Sequence, residues 1–167
     1  QPSEADKYLG RISEEVTASG QALDDIIWSV DTKNDTLEEM IARMRRYAAE
    51  LFEAKDNIKC ELDFEDGFTS RKINIEQRSD IYLVYKEALN NICKHSQATY
   101  FTVKVFLRGD MLHLQVTDNG VGFDITRITH RNGLKNMRAR IERWKGKIII
   151  TSGAGGSRIE AEIPVLA

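Results

Sequence analysis

The sequence predicts a two-layer α/β (α+β) domain with helices on one face of a mixed, mainly antiparallel sheet, preceded by a long coiled-coil-like helix. Apolar residues recur at alternating steps of three and four over residues 3–31. Further along, helical patterns alternate with runs of period two, and glycine-rich turns separate the later strands. The 167 residues, of which 41% are apolar, fit one globular domain with one appended element.

Composition excludes several functional classes. With 24 Lys and Arg against 26 Asp and Glu, the formal net charge is -2, so we expect no nucleic-acid partner. No apolar run approaches the roughly 18 residues of a membrane span. Cys60 and Cys93 lie far apart, which indicates neither a disulfide framework nor a zinc site, and favours a reducing, cytoplasmic setting. The start without Met, close to a helical pattern, suggests a fragment of a longer protein.

The first helical pattern has a narrow apolar seam. Its strict seven-residue spacing is typical of a coiled coil and favours packing against a partner helix, so residues 3–31 predict a homodimer. A long helix folded onto its own domain is the alternative. We therefore divide the chain into residues 1–33 and 34–167. The seam consists of Leu9, Ile12, Val16, Ser19, Leu23, Ile26 and Val30.

The second segment begins with two helices and one strand. Thr36 or Asp35 can cap a helix that extends to about Leu51. Residues 58–64 alternate between apolar and charged side chains, which predicts a half-buried strand. Asn74 and Gln77 have the spacing of a capping box before a helix whose apolar face reaches Ile92.

The remainder predicts a hairpin, a helix and two final strands. Residues 101–107 and 112–116 alternate on either side of an Arg-Gly-Asp turn. Residues 118–133 are turn-rich and are a candidate functional loop. The helix at 134–144 is bounded by Gly133 and Gly146. The last strands, 148–150 and 159–163, are joined by the glycine-rich turn at 153–156.

Two polar segments suggest chemistry. Glu87, Asn91 and Lys94 are spaced so that they share one helix face, although a solvated face with paired charges has the same spacing. Asp118-x-Gly120-x-Gly122 follows a strand, and its glycines let the backbone turn tightly and a ligand approach closely. Asp118 could accept a hydrogen bond from an exocyclic amine, but Asp-Asn-Gly is also an ordinary turn.

A third segment places Gly133 directly before a helix, where free N–H groups and the helix dipole favour a phosphate. In this order the three segments closely resemble the Bergerat-type (GHKL) ATP-binding domain of sensor histidine kinases, the Hsp90 chaperone, type II topoisomerases and MutL repair proteins. Residues 87–96 resemble the N box, 118–122 the G1 box and 133–140 the G2 region of the kinase branch. The resemblance covers residues 37–165, and 3–31 look like the second helix of the dimerisation and phosphoacceptor hairpin.

The resemblance implies roles for the base-binding and metal-binding residues. Asp118 would bind the adenine amino group, with Ser157 close to the same base. Asn91 would hold Mg²⁺, which bridges the phosphates of ATP. Lys94 would neutralise phosphate charge.

It also implies how the reaction would proceed. Gly133 and Leu134 would present N–H groups at a mobile lid between residues 124 and 132. Glu87 would be the base that withdraws a proton from the acceptor histidine. Phosphoryl transfer depends mostly on positioning and charge neutralisation, so Mg²⁺ and Lys94 would supply much of the electrostatic stabilisation.

These roles predict the catalytic domain of a sensor histidine kinase, in the cytoplasmic part of a membrane-anchored receptor that passes phosphate to the receiver domain of a response regulator. His95, His113 and His130 are poor phosphoacceptors by position, so the chain alone is expected not to autophosphorylate. The alternatives are an anti-sigma-factor-type serine kinase, a chaperone-type ATPase, and a degenerate, non-catalytic dimerisation module that has kept the nucleotide fold.

Overall fold

The computed structural model describes residues 3–33, 35–53, 55–68, 71–125 and 133–165, and the chain forms two compact units, residues 1–33 and 34–167. The first unit is helix α1, Glu4–Val30. Ser3 begins it with a capping box: its Oγ accepts from the Asp6 N–H at 3.2 Å, and the Asp6 carboxylate accepts from the Ser3 N–H at 2.9 Å. The hydrogen bond from the Ser3 hydroxyl lowers the pKa of Asp6.

The apolar seam of α1 is solvent-exposed. Six of its seven positions are large apolar residues that each expose between 56% and 70% of their surface. The predicted long helix is therefore confirmed, and nothing within its own unit covers the stripe. The six residues are Leu9, Ile12, Val16, Leu23, Ile26 and Val30.

The described residues of the second unit form three helices, a short π-helical segment and five strands. In chain order they are α2 (Leu37–Phe52), β1 (Lys59–Phe64), α3 (Ile75–Asn91), the π segment (Ile92–Ser96), β2 (Tyr100–Arg108), β3 (Met111–Asp118), α4 (Gly133–Arg143), β4 (Lys147–Gly153) and β5 (Gly156–Pro164).

The five strands form one sheet in the order β1-β2-β3-β5-β4. β1 pairs with β2 in parallel, and the other three pairs are antiparallel. Alternate side chains on the central strands are buried under the helices, which explains the period of two in the sequence. The predicted fold class is confirmed. The most deeply buried strand residues include Phe101, Val103, Leu112, Leu114 and Ile163.

Side-chain caps begin α2 and α3 where the sequence predicts them. Thr36 Oγ1 accepts from the Glu39 N–H at 3.3 Å, which settles the choice between Thr36 and Asp35. Asn74 Oδ1 accepts from the N–H groups of residues 76 and 77 at 2.9 and 3.2 Å. The two helices are joined where the buried Tyr85 hydroxyl donates to the Met44 carbonyl at 2.7 Å, and burial raises the pKa of Tyr85.

Two local features go beyond what the sequence pattern indicates. α4 ends before Gly146, and the left-handed residue that follows it is Lys145, with φ of 58°. Gly146 is required for space instead, because a Cβ there would lie 2.6 Å from the Glu162 carbonyl oxygen. His113 lies on the helix-free face of the sheet, yet its side chain is only 18% exposed, since it stacks on Phe106 with ring centroids 4.7 Å apart.

Candidate functional site

A cavity of about 770 Å³ lies where the C-terminal end of α3 meets the end of β3. This volume falls within the range of small-molecule sites, about 300–1,000 Å³. α3 and the π segment contribute Glu87, Asn91 and Lys94 to its wall. The end of β3, the loop after it, the start of α4 and β5 contribute Asp118, Gly122, Gly133, Leu134 and Ser157. The structure therefore brings together eight of the nine predicted site residues.

Asp118 is fixed at one end of the cavity. It is the last residue of β3, is 6% exposed and pairs in register with Ser157 of β5. Its Oδ1 accepts from the Gly120 N–H at 2.8 Å, and its Oδ2 accepts from the Ser157 hydroxyl. A carboxylate offers about four acceptor positions. The carboxylate is thus held in place and can still accept a hydrogen bond from a ligand.

Gly120, the ninth predicted residue, is buried behind the wall. A Cβ at this position would overlap the carbonyl oxygen of Ser96. The neighbouring Val121 N–H donates to that same oxygen at 2.7 Å. Ser96 in turn is fixed by its hydroxyl, which donates to the Ile92 carbonyl at 2.8 Å. Gly120 therefore lets the loop after β3 pack against the π segment.

The β4–β5 hairpin packs against the same loop. Gly122 has φ of 70°, and a Cβ there would overlap the Gly153 carbonyl oxygen. The Phe123 N–H donates to Ser152 Oγ at 2.7 Å. Gly156 has φ of 126°, and a Cβ there would overlap the Asp118 carbonyl oxygen. Glycine is needed at positions 122 and 156 for both backbone angle and space.

The polar residues of α3 are arranged differently from a regular helix. The α-helix ends at Asn91, residues 92–96 form a π-helical turn, and Gln97 follows with a left-handed φ of 53°. Glu87 and Asn91 lie on α3 as predicted, whereas Lys94 lies on the π turn and is exposed. All three still line the cavity. π-helical turns are frequently found at functional sites.

The start of α4 lies against Glu87. A Cβ on Gly133 would overlap Glu87 Oε1 and lie 3.1 Å from its Cδ, so the carboxyl group lies directly against the start of α4, and a larger residue at position 133 would displace it. Gly133 and Leu134 line the cavity, and the first N–H groups of a helix have no partner within the helix. These N–H groups and the exposed Lys94, which lines the same cavity, favour an anion, whereas the Asp118 carboxylate favours a hydrogen-bond donor.

The structure describes only part of the predicted lid. Residues 126–132 of the predicted lid, including His130, lie outside the described residues. Asp124 is described and lines the cavity. Among the described residues, no helix is long and apolar enough to cross a membrane.

Sequence reasoning missed three supporting residues. Ser96 and Ser152 hold the loop after β3 as described above. Asn119 holds it to β2, because its Oδ1 accepts from the N–H groups of Thr99 and Tyr100, both at 3.0 Å. Of the three, only Asn119 could have been suspected from the local sequence, because asparagine side chains commonly form hydrogen bonds with backbone groups in turns. The partners of the two serines lie 25 and 29 residues away, beyond any local pattern.

A five-stranded mixed sheet, a covering layer of helices, and a cavity lined by a buried carboxylate and by the start of a helix are typical of a nucleotide-binding α/β sandwich. Residues 76–167 match the family described as "Histidine kinase-, DNA gyrase B-, and HSP90-like ATPase", and the chain belongs to this family. The predicted family is confirmed, and membership implies that ATP is the ligand.

Individual relatives point to one branch. The chain is 31% identical over 117 residues to the sensor histidine kinase MctS of Rhizobium johnstonii, covering 68% of this chain and 25% of that protein. It is 30% identical over 116 residues to the sensor histidine kinase LiaS of Bacillus subtilis, covering 68% and 31%. The chain thus spans between a quarter and a third of the length of these relatives.

A solved structure shows the same fold. The histidine kinase domain of the blue-light-activated kinase of Erythrobacter litoralis superposes with a TM-score of 0.69 at 15% identity, covering 98% of this chain and 86% of that one. At this identity the likeness concerns the fold alone. The family match and the sensor-kinase relatives support the predicted kinase branch, while the roles of individual residues stay predictions.

The contact between Gly120 and Ser96 can be tested by adding one methyl group. We expect Gly120→Ala to lower the free energy of unfolding by about 1–3 kcal/mol, because the new Cβ must displace backbone rather than a flexible side chain. Denaturant unfolding measures this loss. Gly155→Ala is the matched control, since a Cβ there meets nothing within 4 Å. Equal stability of the two variants would contradict the packing role of Gly120.

Proposed function

We propose that this chain is the catalytic ATP-binding part of a sensor histidine kinase, which transfers the γ-phosphoryl group of Mg-ATP to a histidine. The family match, the sensor-kinase relatives and the composition of the cavity support this function. The observation that carries it is the buried Asp118 carboxylate, held by Gly120 and Ser157 at one end of a cavity whose other end favours anions.

The two ends of the cavity suit the two ends of ATP. The exocyclic amine of adenine is a hydrogen-bond donor, so it matches the acceptor positions that remain on Asp118. Ser157 would lie beside the same base. The triphosphate would then reach Lys94 and the first N–H groups of α4, at Gly133 and Leu134, where cationic charge and the helix dipole stabilise it.

The residues present also fit Mg²⁺. In nucleotide sites this ion keeps several waters and is bound largely by substrate phosphates, so it needs few protein ligands. The amide oxygen of Asn91 is a suitable oxygen ligand and lines the cavity. Among the described residues, no group of three or more His, Cys, Asp or Glu forms a metal cluster. When bound, the ion would neutralise phosphate charge.

Glu87 would be the catalytic base. A nitrogen of the acceptor histidine would form the new bond to the γ-phosphorus, the bond from that phosphorus to the bridging oxygen of ADP would break, and Glu87 would take the proton from the imidazole. The carboxyl group of Glu87 lines the cavity beside the start of α4, where the γ-phosphate would lie. The acceptor would lie on a hairpin helix outside these 167 residues.

The proposal includes two protein partners. A second copy would pair with α1, because six exposed apolar seam residues on a 27-residue helix gain stability by burial against an equivalent helix. The receiver domain of a response regulator would take the phosphoryl group from the histidine. Because ATP is a cytoplasmic metabolite, this part of the receptor would work in the cytoplasm.

Asp118→Ala tests adenine binding. We expect the affinity for Mg-ATP to fall by about 10- to 100-fold, since a buried hydrogen bond to a charged group contributes about 1.5–3 kcal/mol. Isothermal titration calorimetry measures both proteins. Asp110→Ala is the control, because its side chain is 85% exposed in the β2–β3 turn. Unchanged affinity in Asp118→Ala would refute the adenine assignment.

Glu87→Gln tests the role of the base in the natural, longer protein that supplies the acceptor histidine. We expect Mg-ATP to bind with similar affinity while histidine phosphorylation falls by about 100-fold or more, because a positioned base contributes about 10²–10⁴-fold. Labelled ATP and phosphohistidine detection give the rate. Glu76→Gln is the control, because it makes the same chemical change on the exposed side of α3. A phosphorylation rate equal to that of the wild type would exclude Glu87 as the base.

Leu23→Lys tests the seam. We expect the dissociation constant of a dimer to rise by about 100-fold or more, since each of two buried leucines contributes about 1.5–3 kcal/mol. Sedimentation equilibrium measures the change. Gln21→Lys adds the same charge off the seam and should leave the dimer intact. A wild-type chain that stays monomeric at high concentration, or a dimer unaffected by Leu23→Lys, would argue against pairing through α1.

A further inference from the structure

Asp80 joins α3 to the C-terminal end of α4. Asp80 is 5% exposed, and three side-chain donors surround its carboxylate. Arg140 Nη1 donates to Oδ1 at 2.6 Å, while Arg143 Nη1 and Trp144 Nε1 donate to Oδ2 at 3.2 and 2.8 Å. None of these four residues lines the cavity. The cluster is therefore separate from the site but built on the same two helices.

α4 has little apolar burial, so polar contacts such as this cluster contribute a large share of what holds it in position. Only Met137 and Ile141 of its 11 residues are buried, whereas α2 buries six of 16. A buried carboxylate is costly unless it is paired and hydrogen-bonded, so Asp80 strongly favours the one arrangement that supplies all three donors. The apolar contacts alone give α4 a much weaker preference for position.

The Asp80–Arg140 contact and the Glu87–Gly133 contact are seven residues apart on each of the two helices. Asp80 precedes Glu87 by seven residues on α3, and Gly133 precedes Arg140 by seven residues on α4. Seven residues of α-helix span about 10.5 Å. Since Asp80 meets Arg140 and Glu87 meets Gly133, the helices lie side by side in opposite directions, and one contact fixes the register of the other.

We propose that Asp80 is a positioning residue that sets the axial register of α4 on α3 and thereby holds the first N–H groups of α4 at the anion-binding end of the cavity. The inference rests on the proposed function in that it takes the triphosphate to bind there. A slip of one residue would move Gly133 by about 1.5 Å, which is enough to break a hydrogen bond to a phosphate oxygen.

Comparing ATP with adenosine tests this role. In Asp80→Asn, which keeps the size but turns an amide N–H₂ toward the three donors, we expect ATP affinity to fall by about tenfold, or about 1.4 kcal/mol. Adenosine, which lacks phosphates and depends on the Asp118 end, should change by less than about twofold. Calorimetry for ATP and NMR titration for adenosine give the two constants. A general loss of structure would weaken both ligands alike, and that result, or no change in either, would overturn the proposal.

Glu76→Gln is the matched control. It removes the exposed ion pair between Glu76 of α3 and Arg143 of α4, which contributes little because both side chains are solvated, and it leaves Asp80 and its three donors in place, so both affinities should match the wild type. If Asp80→Asn does not fold, Arg140→Gln replaces it, because Arg140 is 38% exposed and its loss leaves two donors on Asp80. The same separation of ATP from adenosine is expected, and its absence would overturn the proposal.

A ligand-free measurement separates this inference from the proposed function. Hydrogen exchange in Asp80→Asn should be faster for the amides of residues 138–143, which are hydrogen-bonded within α4, and unchanged for the central strands β2 and β3. If wild-type protein does not bind ATP, the proposed function fails, while faster exchange in α4 would still support the register role. Unchanged exchange at 138–143 would overturn the register role whatever the protein binds.

Discussion

The hydrogen bond from the Val121 N–H to the Ser96 carbonyl, at 2.7 Å, joins the two halves of the cavity wall. Ser96 ends the π segment that carries Lys94, and Val121 lies in the loop that follows Asp118. Because the bond is between backbone groups, and Gly120 leaves room for it, the loop after β3 and the π segment are held against each other. Backbone groups buried without such a partner would destabilise the fold, so the site and the sheet end form together.

The charged groups that line the cavity act on a ligand at short range, and the net charge of the whole chain contributes little. A formal net charge of -2 produces no field that would attract a polyanion to the whole surface. Lys94 and the first turn of α4 act only on groups within their own end of the cavity, because exposed charges are screened beyond about 8 Å at physiological salt. Asp118 at the other end would repel phosphate. The separation orients a ligand that has a hydrogen-bond donor at one end and negative charge at the other.

The elements could be predicted because each carries a periodic apolar face, which is buried in the strands and in α2 and exposed on α1. The steps of three and four in α1 and the alternation in β2 and β3 lead directly to the observed helix and hairpin. The π turn could not be predicted, since residues 92–96 also fit a continuing α-helix and only their contact with Val121 distinguishes the two. Asp80 was missed for a related reason. Aspartate is almost never fully buried unless paired, and its partners lie 60 or more residues further along the chain.

The different ways in which the helices are held determine which one can respond to a ligand. α2 and α3 are fixed by apolar burial, which water cannot replace. α4 is fixed largely by Asp80 through Arg140 and Arg143, whose side chains are 38% and 54% exposed, so water can substitute for these contacts at lower cost. A ligand that binds Asp118 and the first turn of α4 stabilises the same helix position from its other end. Because a short helix moves as a rigid body, restraint at its C-terminal end reduces the ordering that the ligand must impose, and Asp80 thereby preorganises a site that it does not touch.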